Sequence, residues 1–146
     1  MREILFRGKR IGSSEWIYGY YVPICFGRFP CKPAIVPESD GTWEPIEVKK
    51  ETVGQYTGLI DKNGKKIFDG DICKFREWDN GEMCWTGYVN FEHCQFIISG
   101  CQLIISGGPN KECLSNFYIV LSRFSSKNIE VIGNIHDTPE LLEGKS

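Results

Sequence analysis

The chain has 146 residues, 41% hydrophobic and 25% charged, with a formal charge of −2. That suits one globular domain and excludes a disordered chain or a generally polycationic phosphate binder. No apolar run is long enough to span a bilayer as a helix, so no membrane association is expected.

The opening MREILFRGKR alternates around Ile4 and Phe6. Its four cations (Arg2, Arg7, Lys9, Arg10) against one anion (Glu3) give a local +3. Such a cluster meets an acidic partner or a phosphate, or more commonly forms a solvated strand edge that resists aggregation. Gly12-Ser13-Ser14 reads as a turn, and Glu15–Val22 is dense in β-favouring aromatics, so an N-terminal β-hairpin is predicted.

Residues 23–45 form a proline-rich irregular segment, broken at Pro23, Pro30, Pro33, Pro37 and Pro45. Proline withholds a backbone donor and restrains its predecessor, which leaves room only for short edge strands at Ala34–Val36 and Ile46–Val48. The residues do not decide between a binding loop and a variable insertion.

The organising stretch is the hairpin 51–75. Val53–Leu59 and Ile67–Phe75 flank Asn63-Gly64, a dipeptide that accepts the positive φ of a tight turn. Gly58–Lys66 faintly resembles a phosphate loop, but five residues separate its glycines and Lys66 stands where a magnesium-binding hydroxyl belongs. Asp61-x-Asn63-Gly64 starts like a calcium loop, yet its twelfth position is Ile72. Both read as turn chemistry. Asp69 and Asp71 flank Gly70; the pair suits metal or acid–base work on a strand, and more often caps backbone N–H groups at such a turn.

Asp79-Asn80-Gly81 is a further turn. Trp85–Phe91 alternates, with Trp85, Val89 and Phe91 expected on one face. The word Ile-Ile-Ser-Gly occurs at residues 97–100 and 104–107, which reads as a hairpin whose strands each end at glycine. Phe117–Leu121 and Ile129–Ile135 are strands, with Ile129, Val131 and Ile135 inward. Thr138-Pro139 then starts a short C-terminal helix over PELLEG.

Seven cysteines with no Cys-x-x-Cys match no common zinc or disulfide framework, so free thiols in a reducing cytosol are expected. His93 adjoins Cys94, but neighbours on a strand point to opposite faces, so a thiol–base pair is not supported there. His136 carries no local nucleophile signature. Trp16, Tyr18, Tyr20, Tyr56 and Trp85 are the rings available for a stacking platform, although such residues also fill small β cores.

Three blocks carry a resemblance: REILFRGKR with WIYG between Arg2 and Gly19, ETVGQYTGLIDKNGKKIFDGD between Glu51 and Asp71, and IEVIGNIHDTPELL between Ile129 and Leu142. Together they resemble the YopX family of phage and prophage proteins. The resemblance implies a mainly β fold built on an SH3-like barrel or roll, with no established catalytic residues and hence none to transfer. The expectation is a single domain over 1–146, a cytoplasmic, non-enzymatic binding module needing no cofactor or metal and engaging a host or phage protein. Its candidate contacts are Arg7, Lys9, Arg10, Trp16, Tyr18 and Tyr56, with self-association a further expectation. Nucleic-acid binding by a small β-barrel is the alternative, and an enzyme using Asp69/Asp71 or a thiol is the least favoured reading.

Overall fold

Short β-favouring runs between glycine and proline breaks give many short antiparallel strands. The computed structural model describes residues 3–38, 41, 43–76, 85–92, 95–103, 119–121 and 125–142. The chain is mainly β and divides into two compact units, Met1–Gly58 and Leu59–Ser146.

In the first unit the strands are β1 (Phe6–Lys9), β2 (Trp16–Tyr21), β3 (Ala34–Pro37), β4 (Ile46–Glu47) and β5 (Gly54–Ile60). Their order in the sheet is β4-β3-β2-β1-β5. β1 and β2 form the expected N-terminal hairpin, closed at Gly12, whose φ of +80° favours glycine. Of the two strands expected in the proline-rich segment, β4 is the edge, whereas β3 lies between β2 and β4. The opening alternation is shifted by one: Leu5 is buried and Ile4 exposed. Ile17, Ile35 and Val48 form the core here, with Phe6, Ile46 and Val53 packed against them. Each such aliphatic burial contributes about 1.5–3 kcal/mol.

Thr52 stitches this unit together. Its buried hydroxyl accepts from the Lys9 N–H at 2.8 Å and donates to the Lys49 carbonyl at 2.6 Å. Thr52→Val, of similar shape, strands the Lys9 N–H and is expected to cost about 1–2 kcal/mol, measured as a shift in the urea unfolding midpoint.

β5 runs past Gly58 into the second unit and is followed by β6 (Lys66–Phe68), β7 (Asp71–Phe75), β8 (Trp85–Glu92), β9 (Gln95–Leu103), β10 (Ile119–Val120) and β11 (Ile129–Asn134). The strand order there is β10-β9-β8-β7-β11, all antiparallel pairs. The turn expected at Asp69-Gly70-Asp71 separates β6 from β7, with Gly70 at φ +93°. Ile67, Cys73, Phe75, Val89, Ile98, Leu121 and Ile129 make the core.

Two register shifts alter the simple alternation. A bulge between Thr86 and Tyr88 buries Thr86 along with Val89, while Phe91, in unbroken register after Val89 and on its face, is exposed near the end of the strand with its ring edge-on to Phe96 at 5.0 Å. A second, between Val131 and Gly133, leaves Ile129 buried while Val131 and Ile135 are half-buried. β9 runs through Ser99-Gly100 to Leu103, so the first Ile-Ile-Ser-Gly word does not end a strand; the second lies outside the described residues. Asp79-Asn80-Gly81 and His93-Cys94 also lie outside them.

The C-terminal helix reduces to one 3-10 turn over Pro139–Leu141. Thr138 does not cap it: its hydroxyl instead accepts from the Asn134 N–H at 3.1 Å and donates to the Asn134 carbonyl. Among the described residues the sheets are open, with no closed barrel.

Candidate partner-binding surface

The β1–β2 register sets Arg7 opposite Tyr18 and Lys9 opposite Trp16. Opposed residues share a face, so one side of this hairpin carries Arg7, Lys9, Trp16 and Tyr18, with Tyr20 two residues further on. The Arg7 guanidinium lies 4.7 Å from the centre of the Trp16 ring, and Lys9 Nζ lies 5.5 Å from it. Cation–π attraction of this kind fixes the ring over the hairpin.

The six candidate contacts separate by burial. Arg7 is only 4% exposed and Tyr56 only 6%. Both are structural in this arrangement: Arg7 sits opposite Gly54 on β5, where the missing side chain leaves room for it. Neither presents a side chain to a partner. Arg10 and Tyr18 are exposed, while Lys9 and Trp16 are half-buried. Arg10 pairs with Glu15 at 3.8 Å, a surface contact worth little.

Sequence reasoning missed the larger feature, which is the continuation of β2 and β3. Past Tyr21 the Val22 N–H donates to the Ala34 carbonyl at 2.9 Å, and Ile24 and Lys32 exchange two backbone bonds of 2.8 and 2.7 Å. The ladder places Cys25 beside Cys31 as the next, non-hydrogen-bonded pair, where strands approach most closely. Their Cα atoms are 4.3 Å apart and the two are joined by a disulfide. The expectation of free thiols fails for this pair because the hairpin, invisible in the spacing alone, brings them together. Cys73 remains a free thiol, buried in the core.

Beyond the disulfide the chain turns over Phe26–Phe29, with the Phe29 N–H on the Phe26 carbonyl at 3.1 Å and Gly27 at φ +53°. The segment read as irregular is therefore a hairpin arm, and every residue from Val22 to Pro33 is exposed or half-buried. Phe26 is 67% exposed and Phe29 79%. Of the eleven exposed large apolar side chains among the described residues, nine fall in the first unit, including Tyr18, Tyr20, Tyr21 and Val22 leading into the arm. One sequence signal marked it: no Asp or Glu occurs from Trp16 to Pro37, while Arg28 and Lys32 are cationic.

The carboxylates do other work. Asp61 Oδ1 accepts from the Asn63 and Lys65 N–H groups at 2.9 Å each, and Oδ2 accepts from the Val131 N–H at 3.0 Å. Asp71 Oδ2 accepts from the Phe68 N–H at 2.8 Å across the Gly70 bend. These are the turn roles the sequence suggested for Asp61 and Asp71. No group of three His, Cys, Asp or Glu among the described residues is placed to hold a metal ion. His136 lies in a closed polar loop, its N–H on Asn134 Oδ1 at 3.0 Å beside that of Asp137 at 2.9 Å.

Against known proteins, the family model described as YopX protein matches residues 6–143. The crystal structure of protein EF1440 from Enterococcus faecalis is similar at 25% identity and a TM-score of 0.51, covering 97% of this chain and 99% of that one. No curated protein matches the sequence.

Proposed function

The chain belongs to the YopX family, and from that premise we propose that it is a non-enzymatic binding module of phage or prophage origin whose partner is a protein. The observation that carries this reading is the run of exposed aromatics from Tyr18 and Tyr20 on β2 to Phe26 and Phe29 on the arm. Exposed rings on a surface that carries cations and no acid are what protein interfaces use as anchors. The buried carboxylates of Asp61 and Asp71, engaged by backbone N–H groups, weigh against their use as catalytic acids or bases. A cytoplasmic site of action and an SH3-like roll in the second unit belong to the same reading, the roll supported by its short, bulged antiparallel strands.

The test is affinity capture with the whole chain from the bacterium that produces it. Tyr18→Ser/Tyr20→Ser, altering exposed side chains only, is expected to fold normally and lose roughly tenfold or more of the captured partner. Equal capture by wild type and variant refutes the reading.

Nucleic acid is the second reading, favoured by half-buried Lys9 beside Trp16 and exposed Arg10 on the hairpin that carries Tyr18. It requires binding to an oligothymidylate that weakens steeply as salt rises. Flat or absent binding to single and double strands rejects it. Self-association through the same face is checked by light scattering of the purified chain.

A further inference from the structure

We infer that the arm Val22–Pro33 is the element that enters the partner protein, seating Phe26 and Phe29 in an apolar pocket whose rim is acidic. This rests on the binding reading above and names its contact element and the chemistry of the partner.

Three features of the arm converge. The first is exposure without a structural reason: Phe26 and Phe29 are the last residues a soluble hairpin would place at its tip, yet they stand on either side of the turn, largely in solvent. Phenylalanine has no polar handle, so its complement is a dry pocket rather than a wet rim. The second is preorganisation. The Ile24–Lys32 bonds, the turn bond from the Phe29 N–H to the Phe26 carbonyl and Pro30 restrict the tip before any partner arrives, and the Cys25–Cys31 bond tightens it further wherever it stays oxidised. A tip already ordered loses little conformational freedom on docking, which raises affinity for a site of fixed shape. The third is charge: Arg28 falls between the two phenylalanines in sequence and Lys32 three residues after them, with no acid from residue 16 to 37. An acidic rim complements that pattern and repels nothing on the arm.

The same features weigh against the other macromolecules. A fluid bilayer conforms to whatever enters it and gains little from a rigid tip. Two rings and two cations also make a weak anchor where stable attachment takes more than one strong signal. A nucleic-acid strand asks for rings presented along a cationic groove, whereas these two flank a turn and share two cations.

The experiment uses the full chain with the photoreactive residue p-benzoylphenylalanine replacing Phe29, or separately Tyr18, illuminated in the producing bacterium. The expected result is a discrete protein adduct from position 29 whose attachment peptide is apolar and flanked by Asp or Glu. Excess wild-type chain should suppress that adduct roughly tenfold better than Phe26→Ser/Phe29→Ser, with Arg28→Glu intermediate. The double variant should melt at the wild-type temperature, because both rings are exposed. The inference is overturned by no adduct at position 29, by attachment to a basic peptide, or by competition that ignores Phe26→Ser/Phe29→Ser. It is likewise overturned if the arm's rings prove necessary for binding phosphatidylglycerol vesicles or an oligothymidylate. An adduct from position 18 alone removes the arm's role and leaves the binding module standing; silence at both positions removes both.

Discussion

Asp61→Ala is expected to lower the stability of the second unit by about 3–5 kcal/mol, among the largest effects of any polar substitution in this chain. The carboxylate is 2% exposed and accepts three backbone N–H groups, from Asn63, Lys65 and Val131. Two of these close the turn after β5, and the third belongs to β11, 70 residues away in sequence. Alanine removes both acceptor oxygens, and with them all three bonds, and leaves donors with no replacement inside the turn. Asp61→Asn separates the contributions. Its one oxygen can serve the turn, but the amide nitrogen then meets the Val131 N–H donor to donor, so a loss of roughly half is expected. Urea denaturation gives the magnitude, and amide exchange gives the place: Asn63, Lys65 and Val131 should lose protection in the alanine variant, Val131 foremost in the asparagine one. A change below about 1 kcal/mol for Asp61→Ala contradicts the assignment.

Gly19→Ala is the second large effect, and its cause is space rather than backbone angle. A Cβ on Gly19 would fall 1.9 Å from the Val36 carbonyl oxygen, 2.8 Å from its carbon and 3.0 Å from the Glu38 nitrogen. All three are main-chain atoms of the neighbouring segment, so no rotamer change relieves the clash. Strand β3 must move off β2, weakening the Gly19–Pro37, Tyr20–Val36 and Tyr21–Ile35 pairs and loosening buried Ile35. The expected cost is about 3 kcal/mol, at the upper end for overpacking. Gly12→Ala is the control: nothing lies within 4 Å of its Cβ, and only its φ of +80° opposes the change, at about 1–2 kcal/mol. Gly19→Ala should also weaken partner capture, since the arm grows out of the β2–β3 pair. Equal melting temperatures for the two variants would show that the close approach is not rigid.

Strand positions were the most legible part of the sequence. Asn63-Gly64, the aromatic run at β2 and the alternation at β11 each announced an element, because side-chain period and turn chemistry act locally. Bulges were not legible, since one extra residue in a strand leaves no compositional mark; Thr86, expected on the face opposite Val89, is therefore buried with it. The 3-10 turn at Pro139 escaped for a similar reason, as Thr138 turned its hydroxyl back to Asn134 instead of capping forward. Of the six candidate contacts, Arg10 and Tyr18 are exposed, while Arg7 and Tyr56, of the same residue types, are buried. A long cationic or phenolic side chain can cover a sheet or face water, and only the neighbours decide which. The arm was hidden by its prolines, which mask a ladder that passes between them at Ile24 and Lys32.

The Cys25–Cys31 link closes a loop of seven residues, and in a chain-entropy account such closure removes about 2 kcal/mol of freedom from the opened state. Both sulfurs belong to solvent-facing residues, within reach of small thiols. The grip of the tip is therefore set by the surroundings as well as by the chain: glutathione would slacken it and an oxidising compartment would lock it. A protein built this way would meet its target with a stiff fingertip outside a reducing cell and a softer one within.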